Sequence, residues 1–143
     1  MIAYLDGRAL VGLYVESQIS SEVRRRVEEA TVVATSVIAY PEVVGAFSGL
    51  HQRGSVTARE QGVLCAELDR DWPHLLKLEV SEQIWRRAGA LAEEYVLSGT
   101  DALYVAGFLS LATASRRHTT VFWSASERLR LAAHAALTGE PHG

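Results

Sequence analysis

Apolar and polar positions follow two rhythms along this chain, and each change of rhythm marks an element. The first run, Ile2 to Leu5, is short and apolar and stops at Asp6. Directly after it, Ala9, Leu10, Leu13 and Tyr14 recur at helical spacing, so a strand passes straight into a helix. Ser20 and Ser21 offer caps for a second helix that buries Val23, Val27 and Ala30 and exposes Arg24, Arg25, Glu28 and Glu29. The β-branched stretch Thr31 to Thr35 predicts a second strand. Ser36 stands where it can cap the next helix, whose apolar positions Val43, Val44, Phe47 and Leu50 run to a break at Gly54. Pro41 sits near that helix's start, where a missing N–H costs least.

Further on, Thr57 to Glu60 has the spacing of a capping box and opens a helix with Val63, Leu64 and Leu68 inward. Leu75 to Val80 predicts a third strand. Ile84, Trp85, Ala88, Leu91, Ala92, Tyr95 and Val96 then trace a helical stripe. Ser98-Gly99-Thr100 introduces a helix of small and apolar residues with almost no charged face, which must lie centrally. Thr119 to Trp123 predicts the fourth strand and Glu127 to Leu137 the last helix. Strands separated by helices predict an α/β fold with a mainly parallel sheet covered on both faces.

Composition narrows this picture. With 143 residues, 48% hydrophobic and 22% charged, the chain has material for one compact core, and a single soluble domain over residues 1–143 is expected. Its apolar runs are broken well short of the roughly 18 residues that cross a bilayer. Met1 leads straight into a strand rather than a charged leader, so a cytoplasmic location is expected. The single cysteine, Cys65, forms no internal disulfide and reads as packing. A net charge of -3 gives no general attraction to a polyanion, which would need local basic patches or a metal ion. His51, His74, His118, His134 and His142 show no pairing at zinc-ligand spacing. There is no phosphate loop ending in Lys-Ser/Thr, no GxSxG elbow and no HExxH pair.

Acidic residues remain as candidate chemistry. In parallel sheets ligands bind beyond the carboxyl ends of the strands. Asp6 ends the first strand, Glu42 lies about a turn into the helix after the second, and Asp101 heads the buried helix. Each alone has an ordinary explanation: a helix cap for Asp6, a first-turn charge after a Thr100 cap for Asp101, a solvated first-turn glutamate for Glu42. Gathered at one sheet edge they would raise one another's pKa and call for a cation. Oxygen-only ligands suit Mg2+ or Mn2+.

Four segments carry a family resemblance: YLDGRALVGLYVE, ATSVIAYPEVVGAF, LSGTDALYVAG and VFWSASERLRLAA. In this order they resemble the PIN-domain ribonucleases, specifically the VapC-type toxins of toxin-antitoxin modules, over essentially the whole chain. The resemblance implies a three-layer α/β/α sandwich with a sheet of four to five strands, and an acidic crevice holding Mg2+ or Mn2+. It also implies cleavage of RNA, a cognate antitoxin and a homodimer. It assigns catalysis to Asp6, Glu42 and Asp101, with Asp6 and Asp101 as direct metal ligands and Glu42 either binding the metal through water or orienting the nucleophile.

Two positions depart from the family pattern. The family usually has a hydroxyl residue two places after its first Asp, where this chain has Arg8, and a fourth Asp after the last strand, where it has Ser126 with Glu127 next. Together they make the crevice less negative, which weakens a divalent-ion site. Two readings follow. Either three carboxylates suffice, with Glu127 or solvent standing in for the fourth acid, or Arg8 serves as an internal counter-ion in a PIN-like protein that binds an antitoxin or RNA without cutting it. For RNA contact the candidates are Ser126, Arg116 and Arg128, with Arg117, Arg130 and Arg53 as further cations. The apolar and aromatic residues at the start of the second and third helices are where an amphipathic partner segment would dock.

Overall fold

The computed structural model describes residues 1–139, so His142 lies outside the described residues. Four strands, β1 (Ile2–Leu5), β2 (Val32–Ser36), β3 (Leu76–Leu78) and β4 (Thr120–Trp123), form one sheet. Their order is β3-β2-β1-β4, and every pairing is parallel. The register sets Tyr4 opposite Ala34 on one side and opposite Phe122 on the other. Seven helices connect them: α1 (Gly7–Tyr14), α2 (Ser20–Glu29), α3 (Ala39–Gln52), α4 (Ala58–Asp71), α5 (Glu82–Tyr95), α6 (Gly99–Ala114) and α7 (Glu127–Thr138).

That order has a direct consequence. The chain steps from β1 outward through β2 to β3, then crosses back to place β4 on the other side of β1. Right-handed crossovers therefore put α1 to α4 on one face and α5 and α6 on the opposite face. The contacts agree: α1, α2, α3 and α4 pack as one group, while α5 and α7 pack on α6. The result is the three-layer α/β/α sandwich with a four-stranded parallel sheet. The reversal of direction falls between β1 and β4, and the crevice beyond their carboxyl ends is where such a sheet binds ligands.

Strand β1 is the centre of the core. All four of its residues are buried, and the Tyr4 ring packs on Phe122 at 5.5 Å and Phe108 at 6.0 Å. Helix α6 can be apolar almost all round because it is covered by the sheet, α5 and α7; Ala102 and every residue from Tyr104 to Leu109 are buried. It lies so close to the sheet that a Cβ on Gly107 would stand 2.6 Å from the Tyr4 hydroxyl, so only glycine fits there. No single helix among the described residues is long and apolar enough to cross a membrane.

Several local expectations need correction. β2 is displaced by one residue and β3 is shorter than the pattern suggested. Ser20 does not cap α2; its hydroxyl turns back to the Val15 carbonyl at 3.2 Å, accepts from the Ser17 N–H and leaves Ile19 at the cap position. Ser36 likewise accepts from the Ile38 N–H inside the turn before α3 instead of capping it. The Thr57–Glu60 capping box is present with both bonds. Helix α6 is capped by Ser98, not Thr100, with Ser98 Oγ accepting from the Asp101 N–H. Val63, Trp85 and Val96 are exposed, not inward. Val96 ends α5 in the left-handed region at φ 54, a strained place for a β-branched residue.

Candidate active site

Strand β1 delivers Asp6 to the floor of the crevice. There the backbone turns into α1, and Asp6 is its cap, with Oδ1 accepting from the Ala9 N–H at 2.9 Å. The cap explanation considered from sequence is therefore correct, yet it occupies one oxygen only. Oδ2 accepts from the hydroxyl of Ser124, a fully buried residue just past β4, at 2.5 Å. Ser124 Oγ in turn accepts from the Ser126 N–H at 3.1 Å, and Ser126 Oγ caps α7 through the Leu129 N–H. The turn is braced by Arg130, which donates to the Ser124 carbonyl and stacks on the Trp123 ring at 5.4 Å. A continuous chain of hydrogen bonds thus joins α1, Asp6 and the start of α7.

Glu42 reaches the same crevice from the first turn of α3. Its Oε1 accepts from the Tyr104 hydroxyl of α6 at 3.2 Å. Residue 7 is glycine, and a Cβ there would overlap Glu42 Oε1 and lie 2.9 Å from the Tyr104 hydroxyl. The glutamate therefore sits in space that any other side chain at this position would fill. Asp101, in the first turn of α6, meets Arg8, whose Nη2 donates to Asp101 Oδ1 at 3.1 Å. That pair is open to water, with side chains 54% and 29% exposed for Arg8 and Asp101.

The three acids act on one another. Burial, more than anything else, pushes the Asp6 carboxyl above its usual value; the bonds from Ser124 and Ala9 and the charge of Arg8 pull it down, and Asp101 pushes it up. Glu42 is also raised, mainly by desolvation and further by Asp6 and Asp101, against the Tyr104 bond and Arg8. The Tyr104 hydroxyl is pushed far up by burial and by Glu42.

Of the residues singled out from sequence, Asp6, Glu42, Asp101, Arg8 and Ser126 come together. Glu127 is exposed in the first turn of α7, one residue beyond Ser126. Arg128 is exposed too and donates to the Val96 carbonyl at 2.5 Å, tying α7 to the connection before α6. Arg116 and Arg117 are not part of the group: they follow the C-terminus of α6, a helix about 24 Å long whose other end carries Asp101. Sequence reasoning missed Ser124 and Tyr104. Ser124 was readable as the hydroxyl nearest the end of β4, whereas Tyr104 was concealed within an all-apolar helix.

Oxygen donors whose charges repel across a partly dry crevice fit a hard divalent ion in kind. Among the described residues no group of three His, Cys, Asp or Glu side chains already converges on one point. Arg8 now supplies the positive charge beside Asp101, so an ion held there would displace it.

No protein-family model matches the chain. Two curated proteins of Mycobacterium tuberculosis are similar to it: Ribonuclease VapC45 (strain CDC 1551 / Oshkosh) and Ribonuclease VapC49 (strain ATCC 25618 / H37Rv). Each is 28% identical over 139 residues, covering 94% of this chain and 91% of the relative. Among solved structures, Mycobacterium tuberculosis VapC20, described as a sarcin-ricin loop cleaving toxin, superposes with a TM-score of 0.60 at 14% identity and 94% coverage of both chains. Over nearly its whole length the chain is thus similar in sequence to two VapC ribonucleases, and it shares its fold with a third protein of that name.

Proposed function

We propose that the chain is an endoribonuclease of the toxin type, a single PIN-like domain that cuts RNA phosphodiester bonds with Mg2+ or Mn2+ held by Asp6 and Asp101. The observation that carries this reading is the meeting of Asp6, Glu42 and Asp101 at the β1–β4 crevice, within reach of one another's charge. The names of the VapC ribonucleases and of the sarcin-ricin loop cleaving toxin point the same way. A bound divalent ion supplies Lewis acidity toward a phosphate oxygen and makes a coordinated water more acidic.

The chain's own residues do the rest. Asp6, fixed by Ala9 and Ser124, sets the position of the first ligand; Glu42 orients the attacking water. Ser126 and Arg128 at the start of α7 contact the RNA backbone, and Arg116 is too remote to share in it. The groove between α1 and α3, lined by Val11, Val15 and Leu50 together with Arg8 and Arg53, receives an amphipathic segment of a cognate antitoxin. The protein acts in the cytoplasm as a homodimer. The test is incubation with a hairpin bearing the sarcin-ricin loop and with an unrelated hairpin, in Mn2+ and in EDTA. Cleavage that needs Mn2+ and disappears in Asp101→Asn is expected; cleavage that survives either treatment would sink the reading.

The Arg8–Asp101 ion pair favours a second reading, in which Arg8 takes the place of the metal charge and the protein binds antitoxin or RNA without cutting. Calorimetric titration with Mn2+ separates the two. Binding to the native chain supports the nuclease; binding only after Arg8→Ser combined with Ser126→Asp supports the second reading.

A further inference from the structure

We propose that Tyr104 is a positioning residue, which holds the Glu42 carboxylate in a slot left open by the absence of a side chain at Gly7. The inference rests on the nuclease reading for its kinetic consequence and on geometry for everything else. Glu42 comes from α3, Gly7 from α1 and Tyr104 from α6, so three elements on both faces of the sheet meet at one carboxylate. The Tyr104 hydroxyl donates to Glu42 Oε1 at 3.2 Å, and a Cβ on residue 7 would overlap that same oxygen. Tyr104 itself is only 1% exposed and is held in the core, whereas Glu42 is a half-buried side chain at a helix start, with three rotatable bonds and the Tyr104 hydroxyl as the donor to its carboxylate.

A glutamate that orients a water must keep its carboxylate in one place, since small misplacement of a reacting group costs rate. The tyrosine supplies the fixed donor, and the glycine supplies the room. Helix α6 would satisfy its packing with leucine or phenylalanine at position 104, so packing does not explain the hydroxyl. Nor does helix formation explain Gly7, which stands in the first turn of α1 where alanine is the better helix former.

The test uses Tyr104→Phe, which keeps the ring, and Gly7→Ala, whose Cβ must displace the Glu42 carboxylate and also crowds the Tyr104 hydroxyl at 2.9 Å. Both should fold, because the Glu42 end can swing toward solvent and the Tyr104 hydroxyl has only to yield slightly, with Gly7→Ala melting somewhat below the native chain. In protein labelled at the glutamate carboxyl carbons, the Glu42 resonance is assigned by its loss in Glu42→Gln. It should move in both variants; an unmoved resonance overturns the proposal even if no RNA is ever cut. On a cleaved RNA, kcat should fall about tenfold or more in each variant, in the range seen for outer-shell partners of metal sites. KM should stay within about twofold, because substrate binding is not touched. In a Glu42→Gln background Tyr104→Phe should have no further effect on kcat; an equal loss there would show that Tyr104 acts independently of Glu42 and would end the proposal. Failure of the native chain to cleave any RNA counts against the nuclease reading, and the resonance experiment still decides this one.

Discussion

The two ends of the acidic crevice are built differently. At the Asp6 end the carboxylate is 2% exposed and both its oxygens are taken, one by the α1 backbone and one by Ser124. At the Asp101 end the carboxylate is held by one bond from Arg8, whose side chain is 54% exposed. Hydrogen bonds to a buried charge contribute about 1.5–3 kcal/mol each. An exposed ion pair contributes about 0–1 kcal/mol. One end is therefore set when the chain folds, while the other can rearrange at little cost. A cation entering this crevice would find one ligand prearranged and would gain the other by displacing a side chain.

The largest effect that breaks this contrast is expected for Asp6→Ala. It removes the fixed ligand and leaves the Ser124 hydroxyl and the Ala9 N–H without their partner. Mn2+ binding by calorimetry should be lost, and cleavage should fall by about a thousandfold, the loss expected when the several kcal/mol of transition-state stabilisation from an ion are removed. Retained binding would mean that the Asp6 end is not where the ion sits.

Next in size is Ser124→Ala, which tests whether the buried end is held as described. Two bonds go at once, that to Asp6 Oδ2 and that from the Ser126 N–H. A stability loss of about 2 kcal/mol in urea unfolding is expected, because a buried charge loses its donor. The corresponding change at the open end, Asp101→Asn, should cost far less stability while affecting cleavage more. If the two variants prove equally destabilising, the division into a fixed and an adjustable end is wrong.

That division also explains what the sequence made legible. The strands and the buried α6 stand out because their apolar runs suit only one period. The convergence of Asp6, Glu42 and Asp101 follows from a general property of parallel sheets, that their strand ends and helix starts share an edge. Caps were less legible because short hydroxyl side chains have several backbone groups in reach: Ser20 turned back to Val15, and Ser98 rather than Thr100 had the three-residue spacing to Asp101. Trp85 and Val96 lie on the stripe of α5, yet pattern alone does not say how wide a neighbour covers it, and both are exposed. Tyr104 was hidden because an apolar helix reads as core throughout, and a hydroxyl pointing out of it has no sequence period. Where Arg8 reaches depends on side-chain geometry that spacing does not encode.

Smaller still is the effect of Arg8→Ser, which acts on the open end alone. Removing an exposed ion pair should change stability by less than about 1 kcal/mol. Mn2+ binding should tighten by up to about fivefold, since the competing cation beside Asp101 is gone and surface pairs of this kind hold up to about 1 kcal/mol. Raising the salt concentration should shrink the difference between native and variant, as expected for an interaction open to solvent. An unchanged affinity would show that Arg8 leaves Asp101 without cost, and the second reading of the function would lose its support.

The smallest effect distinguishes the two ends through pH. Glu42, which lies between them, has its carboxyl raised above the usual 4.5, chiefly by desolvation, with Asp6 and Asp101 adding to it and Tyr104 and Arg8 opposing. A raised value in the folded state means that the native chain holds this proton more tightly than the unfolded chain does. Stability contributed by that proton is therefore present in acid and lost as pH rises through the window above 4.5. Glu42→Gln keeps an oxygen to accept from Tyr104 but carries no charge to desolvate. In EDTA it should melt slightly higher than the native chain at neutral pH, and the two melting curves should converge in acid, where the native glutamate is protonated. Added Mn2+ should reverse the order, stabilising the native chain more than the variant, because the ion compensates the charge that burial penalises. A gap between the two proteins that stays constant across pH would mean that Glu42 lies in water like a surface glutamate, and the crevice would then have only one buried acid, Asp6, in place of two.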